Sequence, residues 1–310
     1  IALGADPAAL LAAATSLPVG LSGAEVAGGF SQDPIELVQA ETGNLLVPAR
    51  AEVILEGYIS PGERAIEGPF VDFLGRTEPR PQPVFHLTAL TRRRDPILPF
   101  VAEGAKVSDT LAIRSLMASL NLTLKCRTER QYQVRWINLP VETRLGLCVV
   151  ATLVPYKGYV YQLANFLLSQ KLEAGFDKLL IVDADVDAVD MPWVVNDFSQ
   201  KVHTTHDVHI EDGAPLGPIQ AYATPEEERA GLTSDFYIDA TWPAEWDSAE
   251  IPVRLTFETC FPQEVQEKVL RRWNSEYGFP MKPVVRRMEE RWMKSREARR
   301  PETPEAREED

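Results

Sequence analysis

The stretch IEGPFVDFLG at residues 66–75 places two carboxylates, Glu67 and Asp72, five positions apart around Gly-Pro-Phe. Paired acids suit proton transfer, in which one donates or accepts the proton and the other adjusts its neighbour's pKa. Gly68 permits backbone angles closed to other residues, Pro69 fixes its own, and a residue before proline is driven towards extended geometry. A helix through these residues is disfavoured, so the two acids do not share a helix face. On these residues alone the plainer reading is a solvated surface turn.

Other groups of chemistry-bearing residues are weaker. DADVDAVD (183–190) has acids at the first, third and fifth positions of a calcium loop. The glycine and glutamate that such a loop needs at its sixth and twelfth positions are replaced by Ala188 and Val194, so these acids read as strand-end and helix-capping groups. His203, His206 and His209 lie close in sequence, but a metal trio needs convergent geometry and second-shell partners. Cys126, Cys148 and Cys260 have neither zinc nor disulfide spacing, suit a reducing cytoplasm, and read as small buried hydrophobes. There is no phosphate-binding loop, nucleophile elbow or dinucleotide fingerprint. The six tryptophans are dispersed and read as packing residues.

The elements that must position these residues follow from pattern. At 310 residues, 45% hydrophobic and 25% charged, the chain has room for two domains and a substantial core. Its net charge of −14 argues against general affinity for nucleic acid or anionic membranes, and no apolar run is long enough to span a bilayer. Asp6-Pro7 reads as the N-cap and first residue of a helix through Ala8–Thr15. Strands are expected within 36–59, with turns at 42–44 and at Pro48, and again within 82–95. A connecting helix is expected at 109–121 behind an Asp109 cap. From 144 onward the pattern is α/β: buried strands at 144–154 and 176–187 alternate with helices at 158–173 and 191–202, the last behind Asp190 and Pro192. That alternation predicts a parallel sheet. After 214 it loosens into Gly- and Pro-containing loops before a helix at 262–276 and a charged tail at 293–310. No internal repeat is found.

Read with its flanks, the opening stretch resembles a signature of the UbiD family of decarboxylases, which includes the polyprenyl-hydroxybenzoate carboxy-lyases and ferulic acid decarboxylases. In residues 44–75, Val47-Pro48-Ala49, Ala51-Glu52, Leu55-Glu56-Gly57 and Glu67-Gly68-Pro69-Phe70 stand in the family's order, with Asp72 as the second acid. The likeness continues through RRDPILPFVAEG (93–104), VDADVDAVDMPWVVNDFSQKV (182–202) and YIDATWP (237–243). It implies an α/β chain, α+β overall. Residues 1–105 would be the C-terminal part of a flavin-binding split β-barrel, 106–125 a linker helix, 126–276 an α/β oligomerisation domain and 277–310 a charged tail. An upstream region of well over a hundred residues is expected, and this chain alone is expected not to be an active decarboxylase.

The resemblance further implies reversible removal of CO2 from an aromatic or α,β-unsaturated carboxylic acid. The implied cofactors are prenylated FMN with a divalent metal, Mn or Mg, and possibly potassium. A prenyl-FMN synthase would supply the flavin, and the product would be a homo-oligomer, dimer or hexamer. Asp72 matches the proton-transfer acid and Glu67 its partner in a Glu–Arg–acid network whose arginine is expected upstream. Ile113 matches an apolar residue of the substrate pocket. Lys157 is nearest to a lysine that contacts the flavin phosphate. At the position of one metal ligand this chain has Gly23, with Glu25 two residues on; either Glu25 substitutes after a local shift or the metal is held differently. A non-catalytic or split UbiD-like subunit serving assembly is the alternative.

Overall fold

The computed structural model describes residues 1–279 except residues 18, 73, 74, 78, 104–106, 218–221, 248 and 254, with backbone only at 72 and 75–77. The first part contains β1 (Ala2–Leu3), α1 (Pro7–Ala13), α2 (Gly23–Ser31), β2 (Leu37–Gln39), β3 (Leu46–Pro48), β4 (Val53–Glu67), β5 (Phe70–Asp72), β6 (Gly75–Thr77) and β7 (Arg80–Arg92). Asp6 caps α1 as expected, its carboxylate accepting the Ala8 N–H at 2.8 Å. The helix stops at Ala13, short of Thr15. Helix α2 was not foreseen. Buried Ala8, Ala12 and Ala27 let the two helices approach closely and form a small core of their own. Pro48 is the last residue of β3 and not a turn; the two-stranded β2–β3 hairpin leaves each strand an open side, where proline is tolerated.

Strands β1, β4 and β7 form an antiparallel sheet in that order, and among the described residues it does not close into a barrel. Two acids from the signature brace its base. Glu52 accepts the Arg93 guanidinium at 2.8 Å and the Ile97 N–H at 3.0 Å, which fixes the chain as it leaves β7. Buried Glu56 accepts the N–H groups of Glu41 and Thr42 and the Thr42 hydroxyl at 2.7–2.8 Å, which fixes the β2–β3 turn. Beyond Gly57 almost every residue of β4 is exposed. At Gly57 itself the strands crowd together: a Cβ there would lie 2.0 Å from the His86 carbonyl oxygen.

The second part contains α3 (Asp109–Thr128), β8 (Val134–Asn138), β9 (Leu147–Thr152), α4 (Tyr159–Ser169), α5 (Lys171–Ala174), β10 (Lys178–Asp183), α6 (Met191–Lys201), β11 (Val208–Pro215), α7 (Pro225–Ala230), β12 (Leu232–Ala240), α8 (Phe257–Cys260) and α9 (Gln263–Arg272). The sheet runs β11-β12-β10-β9-β8. Its three central strands are parallel, as expected, while both outer strands are antiparallel. Alternate residues of β9 and β10 face two cores. Cys148, Val150, Leu179 and Ile181 pack with α3 and α4, whereas Val149, Ala151, Leu180 and Val182 pack with α6. Burial on both faces is why these strands read as unbroken apolar runs. The expectation for cysteine holds at Cys126 and Cys148 and fails at Cys260, which is exposed in short α8, away from these cores.

Helix α3 is capped by Ser108, whose hydroxyl accepts the Leu111 N–H at 3.2 Å; Asp109 is the first helical residue and not the cap. One row of α3, four residues apart, closes the outer side of β8. Ser119 and Thr123 accept the N–H groups of Leu139 and Ile137 at 3.0 and 3.1 Å, Ser115 donates to the Leu139 carbonyl, and Arg127 donates to the Val134 carbonyl at 2.9 Å. The hydroxyls of Ser119 and Thr123 also donate to carbonyls one turn back, so their donors and acceptors are both engaged.

Candidate active site

β4 delivers Glu67 to the end of its ladder with β7, where it stands in register with Arg80. Gly68 then takes a φ of +95°, a left-handed geometry that favours glycine, and the Gly68–Pro69 peptide is cis. The chain leaves the ladder as the β5–β6 hairpin, with Phe70 opposite Thr77 and Asp72 opposite Gly75, and rejoins it at Arg80. Glu67 therefore marks the base of a short excursion and Asp72 its far end. Arg80 stands opposite Glu67 through cross-strand register, which spacing along the chain does not encode.

The other candidates lie apart. Ile113 is half-buried in the second turn of α3. Lys157, in the β9–α4 loop, is exposed and ion-paired with Glu245 at 2.8 Å; that hydrogen bond raises its pKa. Glu25, exposed at the start of α2, accepts the Ser22 N–H at 3.3 Å while the Ser22 hydroxyl accepts the Ala24 N–H at 3.3 Å. This reciprocal cap gives Glu25 a local structural task. Gly23 beside it faces open space. A cavity of about 450 Å³ lies between α1, α3 and α5 and is lined by none of these five candidates.

Among the described residues no group of three or more His, Cys, Asp or Glu side chains is placed to hold a metal. Glu25, the one metal-ligand candidate of this chain, is engaged in its helix cap. The acids of the 183–190 run are used structurally: Asp183 accepts Lys201 at 2.5 Å and the Trp242 N–H at 3.1 Å, and Asp190 caps α6 through the Trp193 N–H. The histidines separate. His203 stacks on His206, and His209 stacks on Tyr237. On the β4–β7 ribbon His86 hydrogen-bonds Glu63 at 2.7 Å, which holds that carboxyl below its usual range, and stacks on Tyr58.

Comparison with known proteins gives this geometry a family. Residues 1–106 match the 3-octaprenyl-4-hydroxybenzoate carboxy-lyase Rift-related domain, and residues 112–240 match the corresponding C-terminal domain. The chain belongs to the UbiD family. It is 29% identical over 293 residues to the pyrrole-2-carboxylic acid decarboxylase of Pseudomonas aeruginosa, covering 90% of this chain and 58% of that protein. The closed form of Sedimentibacter hydroxybenzoicus vanillic acid decarboxylase superposes with a TM-score of 0.77 at 26% identity, over 89% of this chain and 57% of that one. An evolved dimeric form of HmfF from Pelotomaculum thermopropionicum, solved in complex with prFMN, shares the fold with a TM-score of 0.65 at 22% identity, over 85% of this chain and 56% of that one. The chain thus spans less than three-fifths of the length of each of these relatives.

Proposed function

We propose that this chain contributes the proton-transfer acids and the α/β half of a reversible, non-oxidative decarboxylase of aromatic or α,β-unsaturated carboxylic acids that uses prenylated FMN. The observation carrying this reading is the Glu67–Asp72 excursion from the β4–β7 ladder, in a chain whose two halves match two domains of one carboxy-lyase family. In such a reaction the bond to the carboxylate breaks, CO2 leaves, and the electron pair left on carbon takes a proton. Asp72 supplies that proton at the hairpin's far end, and Glu67 and Arg80 at its base set the charge around it. An acid in this role reloads between turnovers and so needs neighbours that adjust its pKa.

Glu25 in its helix cap and Lys157 on Glu245 favour a second reading, a non-catalytic UbiD-like subunit serving assembly. The two are separated by expressing the chain with a prenylated-FMN supply, alone and joined to the part of its pyrrole-2-carboxylic acid decarboxylase relative that this chain does not span. Flavin absorbance and CO2 release from cinnamate- and hydroxybenzoate-type acids are then recorded. Bound flavin with turnover in the joined protein supports the enzyme; a joined protein that assembles without either supports the scaffold.

A further inference from the structure

The cavity of about 450 Å³ has the volume of a small-molecule site, and none of its lining residues belongs to the β5–β6 hairpin. Apolar surface comes from buried Met117 and Leu122 of α3 and from Ala174 of α5, with Ala13 of α1 and Ala118 of α3 as walls. The charged and amide groups that reach it are already engaged. Both carboxylate oxygens of Glu173 accept the Lys125 ammonium, at 2.9 and 3.0 Å, and Asn121 donates to one of them at 3.3 Å. Gln170 accepts Lys125 at 3.1 Å and donates to the Ser169 hydroxyl at 2.9 Å. Arg114 has an interaction of its own.

These commitments set the preference of the cavity. An incoming carboxylate would break one of the existing pairs or enter without a partner, and a charge taken from water without a partner is costly. A neutral apolar molecule disturbs none of them and gains in proportion to the apolar area that it covers. The proposed reaction makes such a molecule: CO2 leaves, a proton takes its place on carbon, and an anionic acid becomes a neutral arene or alkene. We infer that this cavity is a binding site for a neutral arene or alkene of product size, which it takes in preference to the acid from which that product forms. Binding of the neutral molecule rests on the cavity alone; its identity as product rests on the decarboxylase reading.

The test is calorimetric titration of the flavin-free 310-residue chain with styrene and with cinnamate, the neutral and charged members of one product–acid pair. Styrene is expected to bind at least about tenfold more tightly than cinnamate. In the unsubstituted chain, nuclear Overhauser contacts from styrene should reach the methyl groups of Ala118 and Leu122, which locates the ligand without any variant. Ala118→Trp and Ala13→Phe fill the cavity from its two walls, and each should remove styrene binding while the parent circular dichroism is kept. No styrene binding at millimolar concentration, equal or tighter binding of cinnamate, Overhauser contacts at Phe70 instead, or binding that survives in a folded filled variant overturns the proposal. If styrene binds here while the joined protein releases no CO2, the site stands and the decarboxylase reading falls.

Discussion

Proton transfer to carbon requires an acid within hydrogen-bond reach of the reacting atom, so one side chain at the end of a hairpin can decide turnover. Asp72→Asn keeps the shape and removes the proton. In the proposed decarboxylase it should lower kcat by at least ~10²-fold while flavin absorbance stays unchanged. Wild-type decarboxylation and substrate hydrogen–deuterium exchange in that variant would remove Asp72 from the mechanism. Elsewhere a single pair matters for stability: Lys171 and Asp235 are only 4% and 5% exposed and lie 2.5 Å apart, joining α5 to β12. Lys171→Met strands a buried carboxylate and should cost about 3–5 kcal/mol in urea unfolding, with much of that recovered when Asp235→Leu is added. The signature singled out Glu67 and Asp72 as a pair and gave no task to Glu52 and Glu56. Those two acids hold loops, which is read from their hydrogen-bond partners and not from their spacing.

Elements were legible where one kind of burial ran through them. β9 and β10 announced themselves because both faces are apolar, and α6 because Asp190 and Pro192 mark its start. β12 was lost in the loosened pattern after 214, because two of its buried positions are Thr233 and Asp235, whose partners Glu227 and Lys171 come from other elements. The row on α3 was equally silent, since serine and threonine inside a helix carry no signal until β8 is beside them. Ser119→Ala leaves the Leu139 N–H buried without its acceptor and should destabilise by about 1–3 kcal/mol in denaturant titration. Gly57→Ala drives a methyl group against the His86 carbonyl and should cost about 1–3 kcal/mol, read as a lower urea midpoint. Between α3 and α5, burial pushes the Glu173 carboxyl up, and hydrogen bonds from Lys125 and Ser16 outweigh it, so its folded pKa lies below the ordinary 4.5. The stabilisation is therefore complete above pH 4.5 and fades as pH falls through the depressed value. Glu173→Gln should flatten that acid limb in Tm measured against pH, and an unchanged limb would contradict the assignment.

For the whole molecule, we propose that the α/β half carries self-association, and light scattering at micromolar concentration should report an oligomer; a monomer would contradict it. No helix among the described residues is long and apolar enough to cross a membrane. The row of Ser115, Ser119, Thr123 and Arg127 along β8 has a further consequence for the way copies can meet. A five-stranded sheet ordinarily offers two rims for strand addition, and a particle with two such rims can polymerise without limit. Here one rim is sealed by a helix, and β11 forms the other. Joined rim to rim through β11, two copies would make a ten-stranded sheet capped by α3 at both ends, so strand addition along this sheet would end at a pair instead of running on as a fibre.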